Sequence, residues 1–563
     1  MPQSTLKHLV HGLHFQSLRG DIFGGLTAAV VALPLALAFG VSSGIGAING
    51  LYGAVFVGFL AALFGGTPVQ ISGPTGPMTV VITTVFAAFT ARYGPDGIAM
   101  TFTVVMLGGL FQILFGVLRL GKFITLMPYT VISGFMSGIG LIIILIEIGP
   151  LLGYASAGGV VNAVQQLPEQ LTHPVGSALG LGILTLVIVF GSPPRLNRIL
   201  PAPLLALIVC TLVSLSLNDE QLLRIGEIPT GLPSFYWPSF ELSQMKLMIG
   251  YGLMLGTLGA IDSLLTSLVA DNISHSQHDS DRELIGQGIG NAVAGLLGGL
   301  PGAGATMRTV INVRAGGKTP LSGMTHALVL LGVVLGAGSL TEPIPHAVLA
   351  GILIKVGIDI IDWSFLKRAH RVSLKATGIM YGVMFLTVFV DLITAVAVGV
   401  FVANLLTIQR LSELQIDAIQ PITDPRDPHC NLSRLERQLL TQASGKILLL
   451  NLGGPMSFGA AKAISQQMGI VKKYDILILD LTEVPMLGVT AALAIETIVK
   501  EALAKHRTAF LVGISGQVEA RLERLGLLDH LQPRQHGLTR LEALEQATRL
   551  LKPAVPTASE MVN

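Results

Sequence analysis

The chain has 563 residues, of which 51% are hydrophobic and only 12% charged, where a soluble domain carries about 25% charged residues. That balance excludes a soluble protein and implies a polytopic membrane protein. A net charge of +2 without any block of like charges argues against nucleic acid or another acidic polymer as a partner.

Lys7, His8 and Arg19 precede the first apolar run, which begins at Ile22. The small residues of Gly40 to Gly50 imitate a cleavage site, but further runs follow at once, so this one is read as a retained first span. Runs approaching the ~20 residues of a membrane-crossing helix lie at 22–39, 50–64, 74–90, 98–118, 124–148, 175–191 and 202–217. Beyond a polar interval rich in Pro and aromatics, Asn218 to Lys246, a second series lies at 247–270, 284–299, 305–313, 321–340, 345–361, 376–390 and 391–408, with Asp391 between the last two. The reading is a polytopic α-helical membrane protein of two seven-span repeats, 21–217 and 247–408. A seven-span unit inserts upside down when repeated, because seven is odd. With segment 1–20 inside, Arg119, Lys122, Arg195, Arg198, Arg282, Lys318, Lys367, Arg368, Arg371 and Lys375 fall in inner loops, and only Arg92, Arg224 and Lys246 fall outside. By the positive-inside rule both termini are cytoplasmic. The two cysteines, Cys210 in an apolar run and Cys430 in a polar one, do not indicate a disulfide framework.

Two interruptions stand out. Gly298 to Arg308 places four glycines and a proline where a span would continue, and unwound backbone in a bilayer is tolerated only where it is buried in protein or lines a wet cavity. Its counterpart is Gly73-Pro74-Thr75-Gly76-Pro77: Gly65-Gly66-Thr67-Pro68 precedes it, just as Gly298-Gly299-Leu300-Pro301 precedes Gly302-Ala303-Gly304-Ala305-Thr306. Matched interruptions in two halves point to the midplane substrate site of an inverted-repeat transporter. A half-helix restarting at each break turns free N–H groups inward, each helix end being worth about 0.3–1 kcal/mol to an anion and up to ~2 when partly buried.

Thr75 and Thr306 each begin such a half-helix with a hydroxyl turned inward; the alternative is N-capping alone. Asp262 is a lone carboxylate inside an apolar run, which makes it a functional candidate. Thr266, four residues on, shares its helix face, and with freed carbonyls near Gly304 the pair supplies oxygen ligands to a hard cation. Otherwise Asp262 sits near a helix end facing a wet vestibule, or caps a neighbour. Arg308 adds a positive charge to the cavity, pairs with Asp262 or Glu147, or snorkels beside Arg314 and Lys318. Glu147, beside Gly149-Pro150, reads as a solvated span end, and Lys355, Asp359 and Asp362 as an interfacial amphipathic helix. His275, His278, Asp279 and Asp281 lack a third strong ligand at fixed spacing, so no metal centre is expected there. Neither a nucleophile arrangement nor a phosphate-binding loop marks the chain as an enzyme.

After Arg410 the composition turns polar. Apolar runs at 446–452, 474–481 and 508–514 read as strands, alternating with helices from Ser457 and from Val489 and over 517–527 and 539–551. The expectation is a soluble α/β domain over 411–554 and a disordered tail, 555–563.

Gly20-Asp21-Ile22-Phe23-Gly24-Gly25-Leu26-Thr27-Ala28, Gly73-Pro74-Thr75-Gly76-Pro77, Tyr129-Thr130-Val131-Ile132-Ser133-Gly134-Phe135, Arg314-Ala315-Gly316-Gly317-Lys318-Thr319 and Asp359-Ile360-Ile361-Asp362-Trp363 together resemble the sulfate permease (SulP) family of anion transporters, over nearly the whole chain. The resemblance implies fourteen spans in two inverted repeats, divided into core and gate domains that move past each other, a cytoplasmic STAS domain, and a homodimer formed through it. Within the family the chain is most similar to the BicA-type branch of Na⁺-dependent bicarbonate transporters. That likeness implies Na⁺ held by Asp262, Thr266, Gly304 and Thr306, and the anion by Thr75, Ala305 and Thr306, to which Gly76 and Arg308 are added as candidates. Arg308 departs from the small residue expected in that branch and matches relatives that carry sulfate or halides. The first reading is therefore Na⁺-coupled bicarbonate uptake across the plasma (inner) membrane by an elevator-type movement, without a covalent cofactor. A Na⁺- or H⁺-driven sulfate permease, with Arg308 taking the second charge, is the alternative; an anion channel or a STAS-linked sensor stands further off. Gly488 and Val489 replace the Asp-Ser or Asp-Thr pair that related antagonist proteins phosphorylate, leaving Thr490 alone, so the STAS part is expected to be a dimerisation or regulatory platform.

Overall fold

Among the described residues each apolar run becomes a helix, and the first series gains one more, the amphipathic Val160–Thr172. In the computed structural model the described residues are all but 1–9, 125–126, 158, 198–199, 218, 220, 227–232, 337–340, 391, 418, 423–431, 471–472 and 552–563. The tail at 555–563, Asp391, Arg198 and Cys430 lie outside the described residues.

Met1–Ala403 forms one unit and Asn404–Asn563 another. The first series comprises α1 (Leu18–Ser42), α2 (Ala47–Phe64), β1 (Ser72–Pro74), α3 (Gly76–Tyr93), α4 (Asp96–Val117), α5 (Tyr129–Leu151), the amphipathic α6 (Val160–Thr172), α7 (Gly176–Gly191) and α8 (Ala202–Leu217). Its partner series comprises α9 (Met245–Ser274), α10 (Ser280–Leu296), β2 (Gly302–Gly304), α11 (Thr306–Ala315), α12 (Pro320–Gly336), α13 (His346–Ile360), α14 (Leu374–Phe389) and α15 (Leu392–Asp417). Six of the described helices are long and apolar enough to cross a membrane alone; α6 with α7, and α11 with α12, are pairs bent by 111°.

Packing follows the repeat. α1 lies on α11 and α12 as α9 lies on α3 and α4, and α2 lies on α12 as α10 lies on α4. These eight helices form one group. α5, α7, α8, α13 and α14 pack on each other as a second group, which meets the first along α1 with α13 and α3 with α5. Close approach in the first group depends on glycine: a Cβ on Gly109 of α4 would lie 2.4 Å from Ala292 N of α10. The helix expected to lie in the interface is instead α13, whose residues Ala347 to Ile354 are buried. Lys355 and Asp359 pair along its last turns, and Asp362 accepts from Tyr129 Oη at 2.7 Å and Ser133 Oγ at 2.8 Å.

The second unit is a five-stranded sheet in the order β3 (Ile419–Ile422), β4 (Ile447–Gly453), β5 (Ile476–Glu483), β6 (Thr508–Val512), β7 (His536–Leu538), parallel except for β3. Side chains alternate between two cores, as a sheet covered on both faces requires. Leu448, Leu450, Leu477 and Leu479 face one, while Leu449, Ile478, Phe510 and Val512 face the other. The helices are α16 (Arg434–Gln442), α17 (Phe458–Ile470), α18 (Val489–Ala504), α19 (Gly516–Arg524) and α20 (Arg540–Leu551). β3, β7 and α16 went unpredicted, two of them because they are strands of only four and three residues.

Candidate ion-binding site

The two breaks cross. β1 and β2 pair antiparallel, Ser72 with Gly304, Gly73 with Ala303 and Pro74 with Gly302, so each unwound segment satisfies the other's backbone where no water can. The approach needs glycine: a Cβ on Gly302 would lie 2.6 Å from the Gly73 carbonyl oxygen, and one on Gly304 would lie 2.3 Å from Gln70 Nε2. α3 starts at Gly76 and α11 at Thr306. The amide-rich end of a helix therefore stands at each end of this ribbon.

Side chains lock the crossing from three directions. On α11, Arg308 Nη2 donates to the Pro74 carbonyl at 2.5 Å, Thr309 Oγ1 accepts from Ile71 N at 3.0 Å, and Asn312 Nδ2 donates to the Val69 carbonyl at 2.8 Å. On α10, Asn291 pairs with both backbone groups of Gly302, at 2.7 and 2.8 Å. The buried Glu283 carboxylate accepts from Gly66 N and Thr67 N, both at 2.9 Å, from Gln70 Nε2 at 2.7 Å and from Gln287 Nε2 at 2.8 Å. On α9, Ser263 Oγ accepts from Gly304 N at 3.1 Å, and Thr266 Oγ1 lies 3.0 Å from the Gly304 carbonyl and 2.7 Å from Thr306 Oγ1.

Asp262 stands near the middle of the 30-residue α9, not at a helix end. It lies within electrostatic reach of Arg308 and beside Thr75. The Thr75 hydroxyl is aimed at its carboxylate, yet Asp262 Oδ2, Thr75 Oγ1 and Arg308 Nη1 are each buried without a hydrogen bond of full geometry. Thr75 occupies the N-cap position of α3 but makes no capping bond with its side chain, so capping does not account for it. On α11 the N-cap is Ala305, and Thr306 is the first helical residue. Arg308 is 3% exposed, which excludes snorkelling, and Glu147 is held elsewhere by the Ser42 hydroxyl. Glu147 is itself only 3% exposed, which corrects its reading as a solvated span end.

The ribbon thus gathers Thr75, Gly76, Gly304, Ala305, Thr306 and Arg308 with Asp262 and Thr266. The supporting residues Glu283, Gln287 and Asn291 were missed, although they recur every fourth position and so mark a polar stripe on an otherwise apolar helix. Asp21 was missed too: its carboxylate accepts from Lys318 N at 2.7 Å and Thr319 N at 2.9 Å, tying the start of α1 to the turn between α11 and α12.

Residues 18–383 match the sulfate permease family and residues 438–539 the STAS domain. The chain belongs to the sulfate permease family. This permease is 53% identical over 547 residues to the bicarbonate transporter BicA of Picosynechococcus sp., with 96% of each chain covered. It is 54% identical to the transmembrane domain of a cyanobacterium bicarbonate transporter BicA of solved structure, with a TM-score of 0.65 over 68% of this chain and 98% of that one. The murine Solute Carrier 26 family member A9 anion transporter, at 19% identity, gives a TM-score of 0.83 over 98% of the permease and 95% of its own chain. The fold is therefore the fourteen-helix inverted-repeat fold of anion transporters with a C-terminal STAS domain.

Proposed function

We propose that the permease carries bicarbonate together with Na⁺, the first helix group moving as a core domain past the second as a gate. One observation carries this reading: three buried polar atoms of complementary character, none with a hydrogen bond of full geometry, surround one ribbon. Asp262 Oδ2 can only accept when ionised and suits a cation, while Thr75 Oγ1 and Arg308 Nη1 can donate to an anion. The Thr266 and Thr306 hydroxyls and the Gly304 carbonyl add neutral oxygens beside the carboxylate, a donor set that fits a hard monovalent cation.

Charge bookkeeping favours a monovalent anion. The Arg308 and Asp262 charges cancel, so one Na⁺ with one bicarbonate leaves the buried site neutral, whereas one Na⁺ with one sulfate leaves an uncompensated charge at membrane depth. The relatives named bicarbonate transporters support the same choice. Sulfate carriage remains the second reading, favoured by the guanidinium of Arg308. The positive loops support a reading with both termini in the cytoplasm; on that reading the helices lie in the plasma (inner) membrane and the STAS domain joins two copies into a homodimer.

Uptake of labelled bicarbonate, sulfate, nitrate and chloride into proteoliposomes, with and without an inward Na⁺ gradient, tests the proposal. Na⁺-stimulated bicarbonate uptake that sulfate does not compete with is the expected result. Uptake indifferent to Na⁺, or sulfate uptake exceeding bicarbonate, would overturn it.

A further inference from the structure

We propose that Glu147 and Ser42 form a latch that holds the transport site shut on the membrane face opposite the N-terminus; the inference rests on the alternating-access reading above. Ser42 is the last residue of α1, in the first helix group, and Glu147 lies four residues before the end of α5, in the second. The Ser42 hydroxyl donates to Glu147 Oε1 across the seam between the groups. Ser156 Oγ, in the segment after α5, adds a second tie by donating to the Ser42 carbonyl at 3.2 Å.

Position gives the contact its meaning. On one side of it lies a cavity of about 310 Å³ whose polar lining is Ser42, Glu147, Ser156 and His346. On the other a narrow cavity, lined by Ser42, Thr83, Ile143 and Leu353, reaches Gly76, the first residue of the half-helix α3. Ser42 borders both. The hydrogen bond therefore stands where a vestibule meets the way to the ribbon, and the wall beyond it is mostly apolar, with Phe39, Val80, Ile143, Ile146 and Leu353. A carboxylate buried in such a wall holds its hydroxyl donor strongly because water cannot compete. When the groups slide, Ser42 withdraws and the carboxylate is left facing the vestibule, where water replaces the lost bond. The contact is thus firm when closed and replaceable when open, as a latch must be. Glu147 acts here as a positioning residue, through Ser42, and not as an ion ligand.

The test uses the full chain with Cys210→Ala, Cys430→Ser and a single reporter, Thr83→Cys, in sealed vesicles treated with a membrane-impermeant thiol reagent on the face where α1 ends. Ser42→Ala should raise the labelling rate roughly tenfold, the scale of one hydrogen bond to a charged group. Glu147→Gln, which keeps the volume and loses the charge, should raise it in the same direction. Labelling within about twofold of the parent in both variants, with unchanged elution and yield, would overturn the latch. A parent that labels as expected yet moves no bicarbonate would instead overturn the transport reading, so the two failures are distinguishable.

Discussion

Thr75→Val should leave the protein as stable as before, or more so, while sharply weakening its hold on the anion. Thr75 Oγ1 is buried without a hydrogen bond of full geometry, and an unsatisfied buried polar group costs a folded protein about 1–3 kcal/mol. Valine has the same shape, lacks that group and suits the extended backbone of this position, φ −125° and ψ 160°. The Thr75 carbonyl, which accepts from Thr79 N at 2.9 Å and from Thr79 Oγ1 at 2.8 Å, is untouched. A hydroxyl donating to a charged ligand contributes about 1.5–3 kcal/mol, which at about 1.4 kcal/mol per decade raises the half-saturating bicarbonate concentration roughly 10- to 150-fold. Concentration-dependent uptake into proteoliposomes, paired with thermal melting of the same preparation, measures both quantities. A variant that melts several degrees lower, or one whose half-saturation is unchanged, would refute the assignment of this hydroxyl to the anion.

Four further outcomes are expected. Asp262→Asn should remove the Na⁺ stimulation of uptake, read as a Na⁺ dependence at least about tenfold weaker, since one charge-assisted ligand is lost. Glu283→Gln presents an amide N–H₂ where donors already converge on the carboxylate, so melting should drop by the several degrees that about 1–3 kcal/mol implies, even though the residue touches no ion. In the C-terminal unit, burial works to raise the Glu436 carboxyl, but Ser433 and the Arg540 guanidinium outweigh it and hold the group below the usual carboxylate range. A depressed folded value means that this stabilisation is complete above the unfolded value of about 4.3 and disappears as pH falls through the folded one; hydrogen exchange in β4 and β5 should accelerate there, and Arg540→Gln should move that loss to higher pH. Truncation after Asp417 should convert dimer mass to monomer mass in light scattering.

Hydropathy alone located every helix labelled α1 to α15 except the amphipathic α6, because burial in lipid or in protein asks for the same residues. The breaks were legible too, since only glycine and proline interrupt such runs. What hydropathy cannot encode is which segment each break meets. The pairing of Gly73 with Ala303 joins residues 230 positions apart, and no local pattern announces a partner at that distance. Arg308 was ambiguous for a related reason: its three readings differ in what lies across from it, and the Pro74 carbonyl that receives it belongs to the other repeat. Glu147 was misread because it does stand in the last turns of its helix, which ends at Leu151, whereas the end of α1 covers it and Ser42 donates to its carboxylate. Within the STAS unit the alternation of Ile447 to Leu452 could be seen only as an apolar run, because a strand buried on both faces shows no polar side.

The crossed ribbon has a consequence for how the chain assembles. Each three-residue strand takes its pairing from the opposite half, and α11 donates side chains to the backbone of the segment before α3. Alone, either repeat would present unpaired peptide groups to hydrocarbon, at several kcal/mol apiece. The two halves therefore depend on each other for the backbone pairing at the crossing. Co-expressing residues 1–217 and 245–563 as separate chains should accordingly give stable protein only when both are present.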